Sequence, residues 1–247
     1  MPVDPKTRND RRVRRASSGC LQVADAVIAT DVDQAGLAHL MVVLTAGVQA
    51  LGLPAQGPAL SLTQLLDARA EQAGELDRIA GQAVADGGAE GLAGQLSVLR
   101  DRLGRRLDAP LPQQVGAVAG PVEPATVLEE LTIECCAIGL MAGATVPRAG
   151  LIAASRSLAG VLGGRFGGRT IEMRIPPATA VQLEAFGQGP HHHRGTPPNV
   201  AETDPRTFVQ LATGLLSWQD ARAAGRIQAS GSHVDAMAQM LPVVDLS

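Results

Sequence analysis

The sequence predicts an α+β protein: an N-terminal all-α, up-and-down helical bundle followed by a small antiparallel sheet with helices. Three observations carry this reading. Residues 17–142 read as a series of helices with recognisable starts; from Thr170 the apolar residues change to a period of two; and the unbroken run Arg194 to Gly214 joins an extended segment, a sharp helix start and a helix stop.

Residues 1–16 come first and are expected to form a basic, disordered arm. Residues 1–15 hold six basic side chains (Lys6, Arg8, Arg11, Arg12, Arg14, Arg15) and two acidic ones, whereas the chain as a whole has a net charge of −3. No aromatic residue is interleaved for base stacking, so a solvated tail is favoured over a nucleic-acid contact, and no nucleic-acid partner is expected. Helices follow at about 17–30, at 33–51 behind Asp33, at 61–84 behind the capping box Ser61-Leu-Thr-Gln64, at 89–107, and at 124–142 opened by Pro124. Gly87-Gly88 and the stretch Pro110 to Pro121 separate them, giving a bundle over 17–145 that joins the second domain, 148–247, near Gly143 to Gly150. Residues 36–55 are apolar enough to raise the question of a membrane span, but His39, Thr45 and Gln49 interrupt them and Pro54 ends them. A buried bundle helix is the expectation, with no integral membrane segment.

In the second domain Thr170-Ile-Glu-Met-Arg-Ile175 places Ile171, Met173 and Ile175 on one face, and Val181, Leu183 and Ala185 resume the alternation after Pro176-Pro177. The two runs read as adjacent strands of a half-buried antiparallel sheet. Gly163-Gly-Arg-Phe-Gly-Gly168 reads as a flexible turn before the first of them. Further on, Pro197 and Pro198 hold the chain extended, Asp204 is a helix cap and Pro205 suits the first helical position, where its missing N–H costs nothing. Phe208, Leu211 and Leu215 then fall at helical spacing and Gly214 is a natural stop. Ser217-Trp-Gln-Asp220 is a capping box for a second short helix ending at Gly225; Arg226-Ile-Gln-Ala229 alternates like a strand; Ser232-His-Val-Asp235 is a further box opening a last helix with Met237, Met240 and Leu241. The order is strand, helix, helix, strand, helix.

The chain is 45% hydrophobic with low net charge, as expected of a soluble globular protein of two modest domains. Cys20, Cys135 and Cys136 make no disulfide framework, and adjacent cysteines do not easily pair with each other. A reducing, cytoplasmic setting fits. The twin arginines and Ser17-Ser-Gly-Cys20 suggest export, yet no apolar segment precedes Cys20, so export is not expected. No P-loop, nucleophile elbow, HExxH or dinucleotide fingerprint is present.

The segment TDPRTFVQLATGLLSWQDARAAGRIQASGSHVDAMAQMLP resembles the C-terminal half of the sterol carrier protein family, and GPHHHRGTPPNVAETDP resembles its bacterial branch; the similarity covers roughly residues 148 to 244. It implies an antiparallel sheet with helices packed over one face and an apolar cavity between them that accepts fatty acyl or sterol-like ligands. Met173, Phe208, Leu211, Leu215, Trp218, Met237 and Met240 would then line the ligand site, with methionines adapting to varied chains. The same side chains would equally fill a closed core. His192 and Arg194 would offer a polar contact to a ligand carboxylate or phosphate, although the run His191-His-His193 more readily orders its own loop by hydrogen bonding.

Leu37-Ala-His39-Leu40 and Leu131-Thr-Ile-Glu134 resemble, more faintly, two metal-bearing helices of mycothiol-dependent maleylpyruvate isomerases, a DinB-like bundle. The resemblance implies a metal held by His39, Glu134 and a histidine four residues after Glu134, on the same helix face. That position is Ile138, and the acidic pair that follows in the family is replaced by Leu140 and Met141. A metal held by His39 and Glu134 alone loses a neutral nitrogen donor, and Cys135 points about 100° away. No catalytic metal and no cofactor are therefore expected. His39 becomes a hydrogen-bonded histidine, Glu134 a carboxylate that must find a partner or water, and Cys135 and Cys136 small core fillers. The leading expectation is non-enzymatic binding or carriage of an apolar small molecule by the C-terminal domain beside a metal-free bundle. The alternative is a metal- and thiol-dependent isomerase or transferase using the bundle. An interaction module acting through the basic arm, and assembly into a homo-oligomer, stay open.

Overall fold

The computed structural model describes residues 5–30, 32–187 and 199–246. They divide into two compact units, Met1–Gly150 and Leu151–Ser247.

The first unit is the expected helical bundle, with an unexpected hairpin. Its helices are α1 (Pro5–Ile28), α2 (Gln34–Gly52), α3 (Leu62–Glu71), α4 (Ala73–Asp108) and α5 (Pro124–Met141). Local signals set most of the starts. The Asp33 carboxylate accepts a 2.8 Å bond from the Gly36 N–H, and Ser61 and Gln64 complete a reciprocal capping box, satisfying amides that the first turn leaves orphaned. Pro124 occupies the first turn of α5. The helix expected over 61–84 instead breaks at Gln72, and α4 then runs on to Asp108 with a kink at Gly88, whose φ of 58° is open to glycine at little cost. The break expected at Gly87-Gly88 is thus a bend rather than a separation.

Residues 11–16 correct the disordered arm: they lie inside α1. Arg12 explains part of this, donating to Glu123 Oε2 at 2.6 Å and to Glu129 Oε1 at 3.0 Å, acceptors far along the chain that no local reading of a basic run would find. The stretch Pro110 to Pro121, expected only to separate helices, folds into a short hairpin, β1 (Val115–Ala117) and β2 (Gly120–Val122). Helix α2 is long and apolar enough to cross a membrane, and it packs against α4 and α5, burying Leu37, Leu40, Val43, Leu44 and Leu51. Gly47 permits the close approach to α5: a Cβ there would lie 2.5 Å from Leu131 Cδ1.

The second unit contains all but the first three residues of α6 (Arg148–Phe166), then β3 (Gly167–Ile175), β4 (Thr179–Leu183), β5 (Asn199–Glu202), α7 (Pro205–Ala212), α8 (Trp218–Ala223), β6 (Gln228–Ser230) and a 3₁₀ helix, Val234–Gln239. The strand order is β4-β3-β5-β6. β3 pairs antiparallel with β4 and β5 with β6, but β3 and β5 run parallel, so the sheet is mixed rather than antiparallel throughout. Register places Met173 opposite Val181 and Ala201, and Ile171 opposite Leu183 and Asn199, assembling one inner face from three strands. Asn199, buried on that face, donates to Thr170 O and accepts from the His233 N–H, tying the sheet to the segment before the 3₁₀ helix.

Helix α7 starts as expected: Asp204 accepts from the Thr207 N–H at 3.0 Å, with Pro205 in the first turn. Ser217 likewise accepts from the Asp220 N–H at 3.0 Å. Two expectations change. Gly163 to Phe166 form the end of α6 and Gly167 begins β3, so no flexible turn intervenes; a glycine-rich helix end carries little helical signal of its own. The last helix is a single 3₁₀ element that starts at Val234 without the expected Ser232 cap.

Candidate functional site

The first unit holds a cavity of about 250 Å³ formed between α2, α3, α5 and the β1–β2 hairpin. Its walls are mainly apolar, with Val43 and Ala50 from α2, Leu65 from α3 and Leu131 from α5. Leu53, at the end of α2, and Val118, at the hairpin tip, line it while standing 58% and 84% exposed, so this side opens to solvent through apolar side chains.

Three charged groups interrupt the apolar wall: Arg69, Glu130 and Glu134. Glu130 and Glu134 are four residues apart on α5, hence on one helix face. Arg69 comes from α3, four residues after buried Leu65, on the stripe that faces α5. Its Nε forms an ion pair with Glu134 Oε1, and the two side chains are only 16% and 6% exposed. Burial pushes the Glu134 carboxyl above the ordinary carboxylate range, while Arg69 and then His39 pull it back. Glu130 is pushed well up, first by burial and then by the neighbouring Glu134 charge, with Arg69 opposing. One guanidinium therefore serves two carboxylates, and it is committed to one of them.

His39, on α2, is held at both ring nitrogens: Nδ1 bonds Ala35 O at 2.9 Å and Nε2 bonds Asp77 Oδ1 at 3.1 Å. Ile138 is buried. Among the described residues no group of three His, Cys, Asp or Glu side chains is arranged to hold a metal ion. The donor set implied by the family resemblance thus does not fit a metal: one position is a hydrocarbon, the imidazole is tied to Asp77, and a guanidinium sits on Glu134. The three cysteines are free and buried. Burial raises the Cys20 thiol to about 12, and it pushes Cys135 and Cys136 up as well, which leaves little thiolate for nucleophilic work.

Of the residues expected to line a ligand site in the second unit, Met173, Phe208, Leu211, Trp218, Met237 and Met240 are buried, and Leu215 is partly exposed. Met173 comes from β3, Phe208 and Leu211 from α7, Trp218 from α8 and Met237 from the 3₁₀ helix, whose C-cap is Met240, while Leu215 lies between α7 and α8. Trp218 Nε1 donates to Asp235 Oδ1 at 2.9 Å, fixing α8 to that last segment. His192 and Arg194 lie outside the described residues.

The cavity residues Arg69 and Glu130 have no place among the candidates drawn from the sequence. A signal existed for both: an arginine on the buried stripe of α3, and a second carboxylate one turn before Glu134 on an otherwise apolar helix. Neither can be recognised as a partner of the other without the packing of α3 on α5.

Residues 147–243 match the family described as "Bacterial SCP ortholog". No curated protein matches the chain. Five chains of solved structures do, among them a crystal structure of a point mutant of the mycothiol-dependent maleylpyruvate isomerase, at 16% identity and a TM-score of 0.43, covering 93% of this chain and 96% of that one.

Proposed function

We propose that this chain is a non-enzymatic binding protein for an apolar small molecule, an acyl chain or sterol-like lipid, held within the unit Leu151–Ser247. The observation that carries the reading is the family match over residues 147–243, which spans the whole sheet and its helices. Supporting it, one sheet face made of Ile171, Met173, Val181, Leu183 and Ala201 stands in the same unit as the buried side chains Phe208, Leu211, Met237 and Met240. Three of these residues are methionines, unbranched and able to repack around chains of different shape. In this reading the helical unit works without a metal, because Arg69 supplies the positive charge beside Glu134.

Extraction of the purified full-length chain, with mass spectrometry of the organic phase, should recover an acyl or sterol-like lipid. Titration with saturated fatty acids should change the emission of Trp218, the chain's single tryptophan. Affinity should rise about fourfold per added methylene, from ~0.8 kcal/mol of transfer free energy each, until the space is filled. An empty extract together with a Trp218 signal indifferent to every chain length would end this reading.

A further inference from the structure

We propose that the cavity of the helical unit is a second binding site, for a small amphipathic monocation such as an alkylammonium, whose head pairs with Glu130 and whose apolar body fills the space between α2 and the β1–β2 hairpin. The site is separate from any lipid space in the second unit, and the proposal does not depend on that reading.

Charge balance decides the sign of the ligand. The lining presents two carboxyl groups and one guanidinium, and Arg69 is engaged by Glu134. Glu130 makes no hydrogen bond or ion pair among the described residues. An anion entering here would meet the Glu134 charge and the Glu130 carboxyl together, and among the described lining residues the one basic side chain, Arg69, is already engaged. A neutral apolar molecule would strip the remaining water from Glu130 and return no partner to it. A single positive charge opposes the burial and the Glu134 charge that push the Glu130 carboxyl up, so it can pair with an ionised Glu130, and it leaves the Arg69–Glu134 pair intact. A divalent metal ion would place its second charge beside Arg69, in a wall whose other donors are few.

Size and shape set the rest of the ligand. About 250 Å³ corresponds to roughly eight water volumes at ~30 Å³ each, room for a body of about seven to nine non-hydrogen atoms. Much of the rest of the lining is hydrocarbon, with Val43, Leu65, Val127 and Leu131, and would bury a short alkyl or aryl group. The exposed side chains of Leu53 and Val118 mark the mouth: apolar groups left in water have something to gain from a ligand that covers them.

Calorimetric titration of the full-length chain with hexylammonium, 1-hexanol and hexanoate tests the three charge states on one hydrocarbon body. Hexylammonium should bind at least tenfold more tightly than 1-hexanol, and hexanoate should show no binding. Glu130→Gln, with unchanged circular dichroism, should weaken hexylammonium at least tenfold and abolish its advantage over the alcohol. Ala46→Phe, at an exposed position of the lining, should block hexylammonium while keeping Glu130 in place and the fold intact. Equal binding of alcohol and amine, binding of hexanoate, or amine binding undiminished in both variants would overturn the proposal. Because both variants lie in the first unit, fatty-acid titration of Trp218 should be unaffected by them, so failure here and failure of the lipid reading are distinguishable.

Discussion

Replacing Arg69 by methionine tests whether the ion pair with Glu134 holds the helical unit together. The substitution keeps most of the hydrocarbon stem but removes the guanidinium, leaving Glu134, 6% exposed, and Glu130 in a common apolar wall without a cation. Breaking one side of a buried pair costs about 3–5 kcal/mol, because the surviving charge stays buried and uncompensated. Set against a total stability of about 5–15 kcal/mol, that is a large share. With a urea m-value of about 2 kcal/mol per molar, the midpoint of the helical unit should fall by about 1.5–2.5 M. The double variant Arg69→Met with Glu134→Gln removes both charges and should recover most of the loss, since a buried amide costs far less than a buried, uncompensated charge. Urea unfolding followed by far-ultraviolet circular dichroism reports chiefly the helices, whereas Trp218 reports the second unit of the same molecule and serves as an internal control. A single variant whose midpoint stays within about 0.3 M of the parent, or a double variant as weak as the single one, would refute the assignment.

Two further outcomes are expected. Asp204→Ala removes the cap of α7 and should cost about 1 kcal/mol by Trp218-detected unfolding; burial alone would raise the Asp204 carboxyl, but the Thr207 hydroxyl and amide, the Arg206 amide and Arg226 together hold it below its ordinary value, so the cap's contribution should be full at neutral pH and fade as pH falls below about 4. A cap penalty that grows on acidification would contradict this sign. Iodoacetamide at pH 8 should leave Cys20, Cys135 and Cys136 unmodified in the folded chain and label all three in urea, as read by intact-mass spectrometry; stoichiometric labelling of the native protein would show that these thiols are neither buried nor raised.

Helix starts were legible from sequence because each is a contact between residues three apart. Asp33 with Gly36, Ser61 with Gln64, Asp204 with Thr207 and Ser217 with Asp220 all bond where the spacing places them. Ser232 shows the limit of the same rule: its spacing to Asp235 is identical, but Asn199 takes the neighbouring His233 N–H and Asp235 turns to Trp218, and a 3₁₀ segment forms instead. The alternation of β3 and β4 fixed which residues face inward, while the parallel pairing of β3 with β5 left no trace in either strand, because alternation is the same for both directions of pairing.

The candidate sites divide along the same line. The departures at Ile138, Leu140 and Met141 could be read directly, as could the apolar periodicity that buries Phe208 and Leu211. What stands beside Glu134 could not. Composition, caps and apolar spacing determined that the chain would make a helical unit and a sheet unit, since those are local preferences acting over a turn or a strand. Only the packing of α3 and the hairpin against α2 and α5 decided that Arg69 would meet one carboxylate, leave Glu130 unmatched and enclose a cavity around both. Coulombic partnership and enclosed space are properties of distances between elements, and no single segment contains them.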